Sequence, residues 1–281
     1  MLAPFPGRGR PQIMNHKPTI IVFDSGLGGL TVFREAVTVR PDATFVYVAD
    51  DAFFPYGSHS EAEVVGRVVP LMAELIAAHR PDLVVIACNT AATLVLPALR
   101  VRFGVPFVGT VPAIKPACLS SRSRLVSVLG TEATVQREYT RGLIRDFGHG
   151  CEVTLVGAAN LAAVAEAALR GEAVDDDAIA HEIAPCFVTA ADGRRTDTVV
   201  LACTHYPLLR ERLAARAPWP VDFIDPAPAV ARRVTDLLGP PRSGAAGEAG
   251  ILFTSGKPPP PALARTLAGF GLAAVREAER L

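Results

Sequence analysis

Lysine is nearly missing from this chain. Lys17, Lys115 and Lys257 are the whole supply, and the other basic residues are arginine. None of the three sits at a strand end in a site-like motif. That argues against a pyridoxal phosphate enzyme, whose chemistry needs a Schiff-base lysine. Net charge is missing too, since 28 basic residues balance 28 acidic ones. A neutral chain is a poor electrostatic match for nucleic acid or for a membrane surface. No apolar run approaches the ~20 residues that a membrane span needs. Cysteine is sparse, odd in number at five, and without a Cys-x-x-Cys pair. A reduced, cytoplasmic protein is expected rather than a disulfide framework. Residues 1–16 hold arginines and prolines but no apolar h-region. They are expected to form a flexible N-terminal extension, not a secretory signal.

What is present is an internal repeat built around two cysteines. Asp82-Leu83-Val84-Val85-Ile86-Ala87-Cys88-Asn89-Thr90 and Asp197-Thr198-Val199-Val200-Leu201-Ala202-Cys203-Thr204-His205 read alike. Each is a β-branched apolar run that suits a parallel strand covered on both faces, with a thiol at its carboxyl end. The likeness continues downstream. Cys88 precedes Pro112-Ala113 by 24 residues, and Cys203 precedes Pro226-Ala227 by 23. Ligands of open α/β sheets bind beyond the carboxyl ends of the strands. Two similar lobes facing each other, each offering one thiol to a shared cleft, follow from this pattern.

With 281 residues, half of them hydrophobic, two cores are affordable. The expected fold is α/β: two pseudo-symmetric lobes, each a mostly parallel sheet flanked by helices, with the active site in the cleft between them. Residues 17–112 with 225–281 would make the lobe carrying Cys88, and 113–224 the lobe carrying Cys203. Ser60 with Glu63 predicts a capping box for a helix running to about His79, kinked at Pro70. Further helices are expected from the turn at 130–134 to Phe147, over 160–170 and over 177–190. Another is expected after Cys203, with Pro207 in its first turn. Residues 240–250 read as a linker.

Paired thiols at strand ends, each followed by a helix start, are candidate thiolates. Two of equal rank suit a two-base proton transfer, in which one removes a proton from a stereocentre and the other returns one to the opposite face. His205 would tune Cys203 or relay its proton. Asp24, at the end of the first strand, would orient a substrate ammonium or assist Cys88, or else hold the Gly26 turn. Ser25, Asn89, Thr90 and Thr204 are neutral donors suited to carboxylates, joined by backbone N–H groups near Gly26 and Gly57. Two rivals are weaker. Gly26-Leu27-Gly28-Gly29 half-matches a dinucleotide fingerprint, but Thr31 stands where the third glycine belongs. Cys88, Cys203 and His205 match no usual zinc spacing. Cys118, Cys151 and Cys186 carry no motif and read as structural.

Taken in order, Asp24-Ser25-Gly26-Leu27-Gly28-Gly29, Pro55-Tyr56-Gly57, Ala87-Cys88-Asn89-Thr90-Ala91 and Cys203-Thr204-His205-Tyr206-Pro207-Leu208-Leu209 are specific. The chain resembles the glutamate racemases of the cofactor-independent aspartate/glutamate racemase superfamily. The likeness runs from about Thr19 to the terminal helix. It implies catalysis by Cys88 and Cys203, assisted by Asp24 and His205, with no cofactor and no metal. Cys88 would act on D-glutamate and Cys203 on L-glutamate. Asp24, Ser25, Pro55, Tyr56, Gly57, Asn89, Thr90, Thr204 and His205 would contact substrate. The product would be D-glutamate for peptidoglycan in the cytoplasm, made by a monomer or homodimer. Phe54-Pro55-Tyr56-Gly57 and Val111-Pro112-Ala113-Ile114-Lys115-Pro116-Ala117 resemble the branch activated by a UDP-muramoyl-alanine precursor. Asp51, Phe53 and Ala202 depart from common family residues. A relative acting on aspartate, or a binding protein that lost turnover, are the alternatives.

Overall fold

Strand β1, Thr19–Asp24, explains the first lobe. Its residues Ile20 to Phe23 are fully buried and alternate between two apolar clusters, with Ile20 and Val22 on one face and Ile21 and Phe23 on the other. A strand of this kind needs cover on both sides. The computed structural model describes residues 16–244 and 246–274. Most of the expected N-terminal extension therefore lies outside the described residues; His16 hydrogen-bonds to Asp82.

From β1 the chain continues through helix α1 (Leu30–Val39), β2 (Thr44–Ala49), α2 (Glu61–His79), β3 (Leu83–Ile86), α3 (Asn89–Arg102) and β4 (Phe107–Gly109). The second lobe is built from α4 (Ile114–Ser120), β5 (Leu125–Gly130), α5 (Glu132–Gln136), α6 (Glu138–Phe147), β6 (Glu152–Gly157), α7 (Leu161–Leu169), α8 (Asp176–Ile183), β7 (Thr198–Ala202), α9 (Arg210–Arg216) and β8 (Asp222–Ile224). The chain then returns through α10 (Ala227–Leu238), β9 (Ala249–Phe253), α11 (Pro261–Gly269) and β10 (Ala273–Ala274).

The first sheet has the order β10-β9-β2-β1-β3-β4 and the second β6-β5-β7-β8. Every pairing within them is parallel. The run β2-β1-β3-β4 repeats as β6-β5-β7-β8, so the sequence repeat is a topological one. Cys88 follows β3 and Cys203 follows β7, which are equivalent strands. The register sets Phe23 beside Ile86 and Leu129 beside Leu201. Carried two residues further, Ser25 and Thr131 occupy matching places beside the two thiols.

The Ser60–Glu63 capping box is present, and α2 runs through Pro70 to His79. Several expectations need correction. The helix after β5 is broken at Arg137, whose ψ of 141° is extended. The helix expected over 177–190 stops at Ile183, where a 3₁₀ turn holding Pro185 takes over. A bridge between Thr189 and Arg195 then closes a hairpin. The segment read as a linker ends in β9, which pairs with β2. Its glycines and alanines conceal a strand whose signal is only Ile251-Leu252-Phe253. After Cys203 a 3₁₀ turn, Tyr206–Leu209, precedes α9. No α-helix starts at that thiol.

One buried ion pair joins α1 to α10. Arg40 forks onto Asp42 through Nε and Nη2, each at 2.9 Å, and its Nη1 donates to the Leu238 carbonyl at 3.1 Å. Both side chains are nearly inaccessible. Arg40→Met strands the carboxylate and is expected to cost about 3–5 kcal/mol near neutral pH. The Arg40 hydrogen bonds hold Asp42 below the usual carboxylate range, against its burial. That stabilisation is complete above the unfolded value of about 3.9 and fades as pH falls through the lower native one. Urea unfolding of both proteins at about pH 7 and about pH 2.5 therefore shows the gap narrowing in acid.

Candidate active site

The two thiols line one small pocket at the facing carboxyl ends of the sheets. Ser25, Pro55, Tyr56, Gly57, Cys88, Asn89, Thr90, Cys203, Thr204 and His205 all line it. Asp24 is not in the lining and stands behind it. Its Oδ2 accepts from the N–H groups of Gly26 at 3.2 Å and Gly29 at 3.1 Å, and Oδ1 accepts from the Thr204 hydroxyl at 3.4 Å. It therefore holds the glycine turn of one lobe and reaches the other.

Cys88 is the N-cap of α3, and its sulfur accepts from the Ala91 N–H at 3.5 Å. The helix start was expected to favour thiolate. Burial outweighs it: with the nearby Asp24 charge adding to it, burial pushes the thiol up to about 12, despite help from Ala91 and Ser25. Cys88 rests as a neutral thiol, a proton donor. Burial also raises the Asp24 carboxyl.

Cys203 has different neighbours. Its sulfur lies 3.7 Å from His205 Nδ1. On the other edge of the ring, Nε2 is 3.0 Å from Glu166 Oε1 and 3.2 Å from the Gly28 nitrogen. An ionised carboxylate only accepts, so Nε2 carries a proton toward Glu166, and the Gly28 approach is close packing. Burial opposes a charged ring here, but Cys203 and Glu166 together hold His205 well above its ordinary value. Glu166 is held below its usual range by His205, again against burial. The same Oε1 accepts the Leu27 N–H at 2.6 Å.

These contacts account for the glycine turn. A Cβ on Gly28 would run into the His205 ring, and one on Gly26 into Glu166 and Phe54. The turn packs against the His205 ring and the Glu166 carboxylate and leaves no berth for a pyrophosphate. Asp50, the acid a dinucleotide would need, is occupied by Arg67 (Nη2, 2.6 Å), the Tyr56 hydroxyl (2.6 Å) and Thr254 (2.6 Å). The Tyr56 hydroxyl thus faces Asp50, and the tyrosine meets the pocket with its ring and backbone.

Glu166, Thr131 and Ala162 belong to the site and were not singled out from sequence, and Phe54, read there only as part of a regulatory motif, lines it as well. Glu166 carried a signal, as the sole charge in the helix Leu161-Ala162-Ala163-Val164-Ala165-Glu166-Ala167-Ala168-Leu169. Both amide atoms of Asn89 are buried without a protein partner, as a polar ligand would require. Among the described residues no group of three or more His, Cys, Asp or Glu is placed to hold a metal. No lysine lines the pocket: Lys17 donates to the Ala246 carbonyl and Lys115 lies over the Phe147 ring.

The Asp/Glu/Hydantoin racemase family model matches residues 31–234. The chain belongs to this racemase family. A Brucella canis protein named glutamate racemase is 54% identical over 267 residues, covering 94% of this chain and 95% of its own. One from Sinorhizobium medicae is 55% identical over 256 residues, with 90% and 94% coverage. The crystal structure of Escherichia coli glutamate racemase, in complex with L-glutamate and the activator UDP-MurNAc-Ala, superposes with a TM-score of 0.81 at 40% identity. It covers 92% of this chain and 96% of that one. The two-lobed α/β fold and the isomerase class of the family are those read from the strand-end motifs.

Glu166→Gln removes the charge that supports the imidazolium. His205 is then expected to titrate lower. Ring-proton NMR of the free enzyme measures this, and an unmoved titration would show that Glu166 only packs against the ring.

Proposed function

We propose that the chain interconverts L- and D-glutamate by proton transfer at Cα, with Cys88 and Cys203 as the two acid–base groups and no cofactor. The observation that carries this is the placing of two buried thiols, from equivalent strand ends of two like-ordered sheets, in one pocket. The names of the relatives supply glutamate as the substrate.

The substrate lies between the sulfurs. For L-glutamate the Cys203 thiolate, beside the His205 imidazolium, takes the Cα proton. The electron pair left at Cα delocalises into the α-carboxylate. Asn89, Thr90, Thr204 and Ser25 surround that group with neutral donors, favouring the charge without a permanent cation. The neutral Cys88 thiol returns a proton to the opposite face. D-glutamate runs the steps in reverse. The thiols then exchange protonation states, so an unusual rest state for Cys88 is part of the cycle.

The regulatory likeness is part of the reading. The E. coli structure holds the activator UDP-MurNAc-Ala. This chain has Phe54-Pro55-Tyr56-Gly57 in the pocket wall, and Ile114 opens α4 just after the crossover between lobes. Activation by a UDP-muramoyl-alanine precursor and D-glutamate supply for peptidoglycan in the cytoplasm complete the proposal. No helix among the described residues is long and apolar enough to cross a membrane.

Incubation with L-glutamate in D2O, with and without the precursor, tests it. Optical inversion with deuterium appearing at Cα is expected. Cys88→Ser and Cys203→Ser should each lower net inversion by about 10²–10⁴-fold. Near-normal turnover in either variant refutes the two-thiol assignment. Binding of glutamate with no Cα exchange in the wild type refutes the activity itself, and faster inversion of aspartate would reassign the substrate.

A further inference from the structure

The proposed substrate carries two carboxylates, yet no arginine or lysine lines the pocket. The carboxylates behind its wall, Asp24 and Glu166, oppose an incoming anion. A guanidinium stands instead on the seam between the lobes. Arg137 sits at the break between α5 and α6 of the second lobe. Its Nε donates to the Ala133 carbonyl at 3.1 Å, and its Nη1 donates across the seam to the Thr93 hydroxyl of α3 at 3.1 Å. Thr93 in turn donates to the carbonyl of the pocket residue Thr90 at 3.1 Å. The Thr90 hydroxyl meets Thr131 and Thr134 of the second lobe, each at 3.4 Å.

Arg137 is poorly compensated for a buried cation. Its side chain is 10% exposed, and its ion-pair partner Glu61, at 3.9 Å, is 73% exposed. Burial lowers the basicity of Arg137, while the Glu61 charge acts to raise it. Through Thr93 the cation stands two hydrogen bonds from the pocket residue Thr90 without entering the pocket. Deep in the pocket Cys88, Cys203 and Asn89 are each less than 8% exposed. Any parting of the lobes on this side to admit substrate would break the bond from Arg137 to Thr93.

We propose that Arg137 is both the latch of this seam and the charge selector of the pocket. Closed, it ties the second lobe to α3. Released from Thr93, its guanidinium draws in the side-chain carboxylate of an acidic amino acid. This rests on the glutamate reading above.

Salt dependence of kcat/KM for glutamate tests it, since exposed charge attraction is screened while packing is not. The wild type is expected to lose kcat/KM as ionic strength rises. Arg137→Met should lower kcat/KM by about 10-fold at low salt and flatten the salt response. Arg137→Lys should retain part of that response, and Glu61→Gln, which frees the cation, should raise kcat/KM. Arg141→Met, an exposed charge on α6, serves as the control with the wild-type slope. Thr93→Val releases the latch but leaves the cation, so it should keep the slope even if Arg137→Met fails to fold. A wild-type slope in Arg137→Met, or a lost slope in Thr93→Val, overturns the proposal. A wild type that does not invert glutamate overturns the parent reading instead.

Discussion

One carboxylate joins the halves of this molecule. Glu166 stands on α7 of the second lobe, and its Oε1 accepts both the Leu27 N–H of the first lobe and the His205 ring N–H. A buried carboxylate is costly unless its lone pairs are filled. Here they are filled by a backbone turn from one lobe and an imidazole from the other. Much of the site depends on this. The turn must approach closely enough that glycine is required at 26 and 28. The ring must present Nδ1 to Cys203 because Nε2 is committed to Glu166.

The like-ordered sheets place the thiols symmetrically, but their partners differ. Cys203 has a histidine and a carboxylate in line, and Cys88 has Asp24, Ser25 and the first turn of α3. A symmetric pair in equal surroundings would share one protonation state, and neither sulfur would then be ready to donate while the other accepts. Under the proposed two-thiol reading, the different surroundings let one sulfur donate while the other accepts, with the Cys88 thiol titrating far above neutrality at rest.

The thiols were legible because a strand-end cysteine occurs twice in matching context, and a repeat carries more information than either copy. Thr131 was open to the same argument as the second-lobe counterpart of Ser25, but it follows β5, which ends at Gly130, without a cysteine to attract attention. Glu166 was hidden because its role is wholly tertiary: mid-helix glutamate is ordinary in sequence, and only the fold brings it 139 residues back to Leu27. The strand β9 was lost in a run of glycine and alanine whose composition suits a linker. Its place is set by pairing with β2, not by local propensity. The thiolate expectation for Cys88 failed for a physical reason. A helix start offers partial charge, and complete burial removes more than that charge returns.

The raised Cys88 owes its state to burial, the charged His205 to Cys203 and Glu166 of its own lobe, and the depressed Glu166 to His205 and to the Leu27 N–H of the opposite lobe. Were the lobes to part, Glu166 would lose the Leu27 N–H, and Cys88 and His205 would relax toward their solution values. Contacts on the seam beside the sulfurs, such as those of Thr90 with Thr131 and Thr134, join the lobes at the pocket wall and help to hold this arrangement together.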